Sequence, residues 1–222
     1  MSKHRFHLLT ALCGLLGAGA LFLSFYIDQG PPSGSTTAEI IVWAKQNATS
    51  VLLGAWFQGT GTLLSVIFAF ALVHLTQADN RLSGQIAKMA GIAVLTVSLT
   101  EVVCYLSALS GAQQNDPVIV STCLTLLSAV QHLYFIAPSL LLPLGFVVFG
   151  SRVLPQMFSY TAFGIGIGFE ILGLVGLFIP FKIVTIVVPV LAELWILAAA
   201  IFLFRVDKSL VAERPVSDSI FS

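Results

Sequence analysis

Three glutamates, Glu101, Glu170 and Glu193, stand inside long apolar runs, as do Gln58 and the adjacent pair Gln131 and His132. A charge at mid-bilayer costs about 3 kcal/mol or more on insertion scales, so an acid kept there marks a proton, cation or substrate route unless it is neutralised. No Lys or Arg within the runs is placed to pair with these carboxyls. They must instead meet protons, cations, water or polar side chains. Counted inward from the end of each run expected to face outside, all three lie about nine or ten residues deep, about 15 Å at helical rise. The spacing predicts one carboxyl layer near the midplane, with Gln58 above it and His132 about a turn below. Protonatable groups at one depth suit proton- or cation-linked movement of a small solute. Glu101, His132, Glu170 and Glu193 also form an oxygen and nitrogen donor set for an intramembrane metal or catalytic site.

The elements that position these residues follow from composition. The chain is 57% hydrophobic and 9% charged, with a mean hydropathy of +0.98, far from the roughly one quarter charged residues of soluble domains. Lipid is therefore the expected solvent. Six apolar runs, Leu8–Ile27, Val51–Leu75, Gln85–Ser110, Val118–Phe149, Met157–Ile179 and Ile183–Phe204, each supply the roughly 20 residues that a helix needs to cross hydrocarbon. A β-barrel would instead show short alternating segments. The expected fold is all-α: one polytopic six-helix transmembrane bundle over residues 1–222, ending in a cytoplasmic tail at 205–222. Lys3 and Arg5 precede the first run and a small-residue stretch lies at Ala18–Ala20, yet apolar residues continue through Tyr26, so a retained helix is expected rather than a cleaved signal.

Charge placement predicts orientation. Of 10 Lys and Arg residues, Lys45 and Lys182 alone fall on one side; the rest share the side of both termini, which the positive-inside rule assigns to the cytoplasm. The outer loop between the first two runs carries Thr36 and Glu39 at capping-box spacing, followed by Ile40, Ile41, Trp43 and Ala44. A short interfacial helix on the outer face is expected there, as an anchor in preference to a lid.

Helical spacing gathers the polar residues into stripes. The second run aligns Gly54, Gln58, Gly61, Thr62 and Ser65; the third, Ser98, Glu101, Cys104 and Tyr105; the fourth, Ser121, Thr125, Ser128, His132 and Ser139. These three stripes are expected to face one another. Glu170 shares a face with Gly166 and Gly173. Pro138 and Pro143 predict a bend in the fourth helix, and Pro189 frees a carbonyl one turn before Glu193. Six runs also permit a three-plus-three inverted repeat that matches Glu101 with Glu193 and Gln58 with Glu170.

Several classes are disfavoured. Cys13, Cys104 and Cys123 sit singly inside runs, without a CxxC. There is no HExxH and no G-x-S-x-G, and the other histidines, His4, His7 and His74, lie at run ends, so no haem or other cofactor is expected. No basic aromatic patch points to nucleic acid. Asn47, Ala48 and Thr49 match a glycosylation acceptor but abut the second run, where a chance match is expected. A non-catalytic assembly partner remains open, because Gly164 with Gly168, and Gly14 with Ala18, form close-packing motifs. The expected partners are the lipid bilayer and a small solute or ion, with oligomeric state left open.

The stretch "TAEIIVWAKQNATSVLLGAWFQGTGTLLSVIFAFALVHL" resembles a group of uncharacterised bacterial multi-pass membrane proteins. The resemblance covers roughly the first third of the chain. It implies a bacterial inner membrane and six helices, and brings no activity and no functional residue with it.

Overall fold

In hydrocarbon a backbone N–H or C=O finds a partner only within its own segment, so long apolar sequence folds as helix. The computed structural model describes residues 3–32, 34–136, 140–176 and 184–212. Over these residues the chain is all-α with no strand: α1 Lys3–Ile27, α2 Thr37–Gln46, α3 Ala48–Leu75, α4 Leu82–Gln113, α5 Pro117–Ile136, α6 Leu141–Val148, α7 Gln156–Gly176 and α8 Val184–Ala212. Three stretches, Arg5–Ile27, Ala48–Leu75 and Leu82–Gln113, are long and apolar enough to cross a membrane. The 28 residues of α3 reach about 42 Å, beyond the roughly 30 Å of hydrocarbon. Between its ends, where Thr49 and His74 are exposed, its exposed side chains are Leu52, Leu53, Trp56, Leu63 and Ile67, while Gly54, Gly61, Thr62 and Ser65 are buried. Apolar outside with small and polar inside is the order that contact with a lipid bilayer demands.

The closest packing joins α1 to α3, which run antiparallel. A Cβ added at Gly17 would lie 2.7 Å from the Ser65 backbone nitrogen, and one added at Gly61 would lie 2.7 Å from Leu21 Cγ and 3.0 Å from the Gly17 carbonyl oxygen. Gly14 meets Phe68 and Ala200 in the same way, so α1 is wedged between α3 and α8. The Gly14 and Ala18 face is thus spent on internal packing. The Ser24 hydroxyl donates to the Gly54 carbonyl at 2.8 Å, closing the far end of the α1–α3 contact.

A small apolar cluster caps one end of the molecule. There α2 lies across the bundle, and its Ala44 joins Val51, Leu109, Ala112 and Val120, with Ile40, Ile41 and Trp43 packed around them. The capping box forms as expected: Thr36 N–H donates to Glu39 Oε2 at 2.7 Å and the Thr36 hydroxyl accepts from Glu39 N–H. Those bonds hold the Glu39 carboxyl below its ordinary range. The Asn47 amide donates to the Trp43 carbonyl at 2.9 Å, so this residue serves the α2–α3 junction. Lys45 reaches Asn115 beyond α4.

At the other end a tight turn joins α3 to α4. Gln77 takes φ +55°, and the Ala78 N–H returns to the Val73 carbonyl at 3.0 Å, the helix stop in which a left-handed residue satisfies the last carbonyls. Asn115 does the same at the end of α4, with φ +56°. Asp79 gathers Lys88 Nζ at 2.6 Å and His74 Nδ1 at 2.9 Å across the turn. The Lys88 bond is the larger influence, and together they lower the Asp79 carboxyl from its ordinary value. Gly84 lies so near the Ala78 carbonyl that any side chain would collide with backbone.

In the fourth run the described residues form α5 and α6, and Pro138 and Ser139, where the bend is expected, lie outside the described residues. Pro143 sits in the first turn of α6. The Ser159 hydroxyl donates to the Gly145 carbonyl at 2.8 Å and fastens α7 to α6, while Trp195 Nε1 donates to the Phe158 carbonyl at 2.9 Å and fastens α8 to α7.

Gly17→Val and Gly61→Val are each expected to destabilise the detergent-solubilised protein by about 1–3 kcal/mol, because the added atoms meet backbone. Gly19→Ala, at a position where an added Cβ meets nothing within 4 Å, serves as the silent comparison. Thermal unfolding midpoints measure the difference, and equal midpoints for all three variants would remove the close α1–α3 contact from the account.

Candidate functional site

Gly54, Gln58, Thr62 and Ser65 recur at helical spacing, so one face of α3 carries them in a row. Each of them meets a partner from another segment. Gln58 Nε2 donates to Glu101 Oε2 of α4 at 2.9 Å. One turn on, the hydroxyls of Thr62 and Ser98 share a hydrogen bond of 2.9 Å, in which either can donate. The Ser65 hydroxyl donates to Glu193 Oε2 of α8 at 3.2 Å. Above these rungs, at the α2 end, Asp28 seats its Cβ over Gly54, where a side chain on α3 would stand 2.5 Å from it. The result is a ladder of polar pairs between α3 and three neighbouring segments, with an acid at three of its four levels.

The ladder is buried at its centre. Glu101 retains 7% of its surface, Thr62 6%, Ser65 3% and Ser98 1%. Glu193 and Gln58 are half-buried. Tyr105, one turn from Glu101 on α4, lies within electrostatic reach of both the Glu101 and Asp28 carboxyls. Asp28 itself stands just past the end of α1. Burial pushes its carboxyl above the ordinary value, opposed by the Gly30 N–H that donates to its Oδ1 at 3.1 Å.

Gln58, Glu101 and Glu193 share the α3 face, whereas Glu170 is half-buried on α7, whose main neighbours are α6, α5 and α8. The single carboxyl layer is replaced by a stagger: the partners of Glu101 and Glu193 on α3 are positions 58 and 65, about 10 Å apart along the axis. Run ends make a poor common reference, since helices start at different heights; α4 extends to Gln113, past the expected Ser110.

The stripe on α5 faces away from the ladder. Ser121, Thr125 and Ser128 are exposed, and the first two donate to carbonyls of their own helix, at Val118 and Ser121. Thr125 and Ser128 line a shallow open groove with Leu124 and Ala129. Gln131 and His132 occupy the last turns of α5, and their side chains lie outside the described residues, as does that of Pro189. Cys104 and Cys123 are buried, Cys13 is half-buried, and all three are free thiols. Among the described residues no three of His, Cys, Asp and Glu converge as a metal-ligand set.

Sequence reasoning passed over Asp28, although the signal was present. Gly14, Gly17, Leu21, Ser24 and Asp28 follow one another at steps of three and four, so Asp28 prolongs the very face by which α1 touches α3. It also passed over Phe68, fully buried three residues beyond Ser65. Compared with known protein families, curated proteins and solved structures, the chain matches none.

The raised Asp28 carboxyl carries a sign. A folded acid with a raised pKa holds its proton more tightly than the unfolded chain does, so the penalty is absent below the unfolded value, grows as pH rises toward the folded value and is fully present above it. Asp28→Asn keeps the oxygen that accepts from Gly30 and removes the buried charge. It is expected to raise the thermal midpoint at pH 8 and to leave it unchanged at pH 3; a variant that is less stable at both would show that the charge itself holds the loop.

Proposed function

We propose that the protein crosses the inner membrane six times and uses Glu101 and Glu193 for proton- or cation-linked movement of a small solute. The observation that carries this reading is the convergence of two acids from different helices on the polar face of α3, through Gln58 and Ser65. A structural seam between membrane helices is adequately served by Ser, Thr and Gly; acids add a large insertion cost that protonation or ion binding repays. In the six-span reading α1, α3 and α4 are the first three crossings, α5 continued by α6 is the fourth, and α7 and α8 complete the set.

The Lys and Arg bias supports an orientation with the α3–α4 turn and both termini in the cytoplasm and α2 outside. The resemblance of the first third of the chain to bacterial multi-pass proteins is in keeping with that placement. Glu170, on α7, is assigned no part in the site. A metal centre has no ligand cluster among the described residues to support it. The assembly-partner reading draws on one observation: a Cβ added at Gly164 or Gly168 of α7 would meet nothing within 4 Å, so this close-packing motif is not used by the described residues.

Glu101→Gln and Glu193→Gln keep size and hydrogen-bonding capacity while removing the proton-exchanging group. In proteoliposomes carrying an entrapped pH dye, supplied with a panel of small solutes and monovalent cations under an imposed pH gradient, each substitution is expected to reduce coupled flux by about tenfold or more. Wild-type flux in both variants would overturn the transport reading, as would stoichiometric co-purification of a second chain whose basic residues are needed for stability.

A further inference from the structure

The α3 face changes character abruptly. From Gly54 to Ser65 it is polar, and those eleven steps cover about 16 Å, half the hydrocarbon thickness. From Phe68 onward the same face is closed: Phe68, Leu72 and Val73 are fully buried in the large apolar cluster with Leu144, Ala199, Ala200 and Leu203. The next polar atom along this face is the Thr76 hydroxyl, and it is taken up by the Leu72 and Val73 carbonyls. The ladder therefore reaches the α2 end of the bundle and stops near the middle.

Resting on the transport reading, we infer that the species moving along this face is a proton, that its path opens at the α2 end by Asp28 and ends at Glu193, and that Phe68 is the barrier beyond. Three features identify the species. The rungs are closed by direct hydrogen bonds of 2.9, 2.9 and 3.2 Å, which leave no space between partners for a hydrated ion or an organic solute. Successive rungs are three or four residues apart, a separation of about 5–6 Å that a single bridging water spans. The centre of the ladder is a pair of hydroxyls, each able to accept a proton on one lone pair while donating its own.

The step is a simple relay. As a proton arrives at Ser65 Oγ from the Thr62 side, the hydroxyl passes its own proton to Glu193 Oε2; one O–H bond forms as another breaks, and reorientation restores the serine. No oxidant, metal or leaving group enters. Glu193 then holds the proton within a bundle where α3, α7 and the span of α1 from Leu8 to Ile27 contain no Lys or Arg to compete for it. Cys13 of α1 and Glu170 of α7 are further titratable groups on the helices packed against α8. Onward passage requires Phe68 to move, which is how an apolar constriction controls flow by excluding water.

The test uses the full chain in sealed proteoliposomes, with potassium and valinomycin clamping the voltage and an entrapped dye reading the decay of an imposed pH gradient. Without added solute the wild type is expected to hold the gradient as tightly as Glu193→Gln. Phe68→Ala is expected to collapse it about tenfold faster. Adding Thr62→Val, which replaces the relay hydroxyl by a methyl group, is expected to return that leak to within about twofold of the wild type. Phe68→Val trims the ring while keeping a branched apolar side chain, and decides the matter if Phe68→Ala is not monodisperse. Tight, monodisperse Phe68 variants would overturn the barrier, and a leak indifferent to Thr62→Val would overturn the path. Either result leaves the transport reading standing as long as Glu193→Gln still abolishes coupled flux; loss of that effect with a Thr62-dependent leak intact would do the reverse.

Discussion

Everything in the bundle is referred to the contact between α1 and α3 at Gly17 and Gly61. Lipid supplies no hydrophobic drive for helices to associate, so shape and hydrogen bonds must do it. Two backbones that approach until Gly17 reaches the Ser65 nitrogen gain dispersion along their length and exclude lipid from the groove beside them. That exclusion lets α3 keep Thr62 and Ser65 on an inward face at almost no exposure. The same contact brings α8 within reach, because Gly14 touches Ala200 as well as Phe68. Without the glycines the groove would widen.

The second constraint is that each polar atom in this interior has to be answered by another. Gln58 answers Glu101, Thr62 answers Ser98, and Ser65 answers Glu193, all with side chains from other helices. Thr10 and Thr76 answer themselves, each donating to a carbonyl one turn back. The difference matters for chemistry. A hydroxyl bonded to its own helix is silent whatever its neighbours do, whereas one bonded across an interface senses relative movement of helices. The three hydrogen-bonded rungs of the ladder are all bonds of the second kind, and their two acids, Glu101 and Glu193, sit on helices that meet α3 from different directions.

Much of this was legible in the sequence. Apolar run length fixes the helices within a few residues, the Thr36 and Glu39 spacing fixes the start of α2, and periodicity places Gln58, Thr62 and Ser65 on one face of α3 and Ser98 with Glu101 on one face of α4. What periodicity omits is the identity of the neighbour. A stripe on α5 reads like a stripe on α3, yet Ser121 and Thr125 turn to their own backbone while Thr62 turns to Ser98. The meeting of α3 with α8 is a long-range event, 128 residues apart, with no local signature at Ser65. Asp28 was hidden because a residue just past a helix reads as loop, although its spacing belongs to the α1 face.

The turn between α3 and α4 has a metric consequence. Gln77 and Ala78 end one helix, Gly84 tucks under the Ala78 carbonyl as the next begins, and Asp79 ties both sides through His74 and Lys88. This hairpin sets how far each residue of α4 stands from its opposite on α3, as the length of a hinge sets where two rulers coincide. One residue gained or lost there would turn α4 by about 100° about its own axis. Glu101 would then sweep from Gln58 toward the acyl chains, so the phase of an acid in mid-membrane is decided by one short turn at the water's edge.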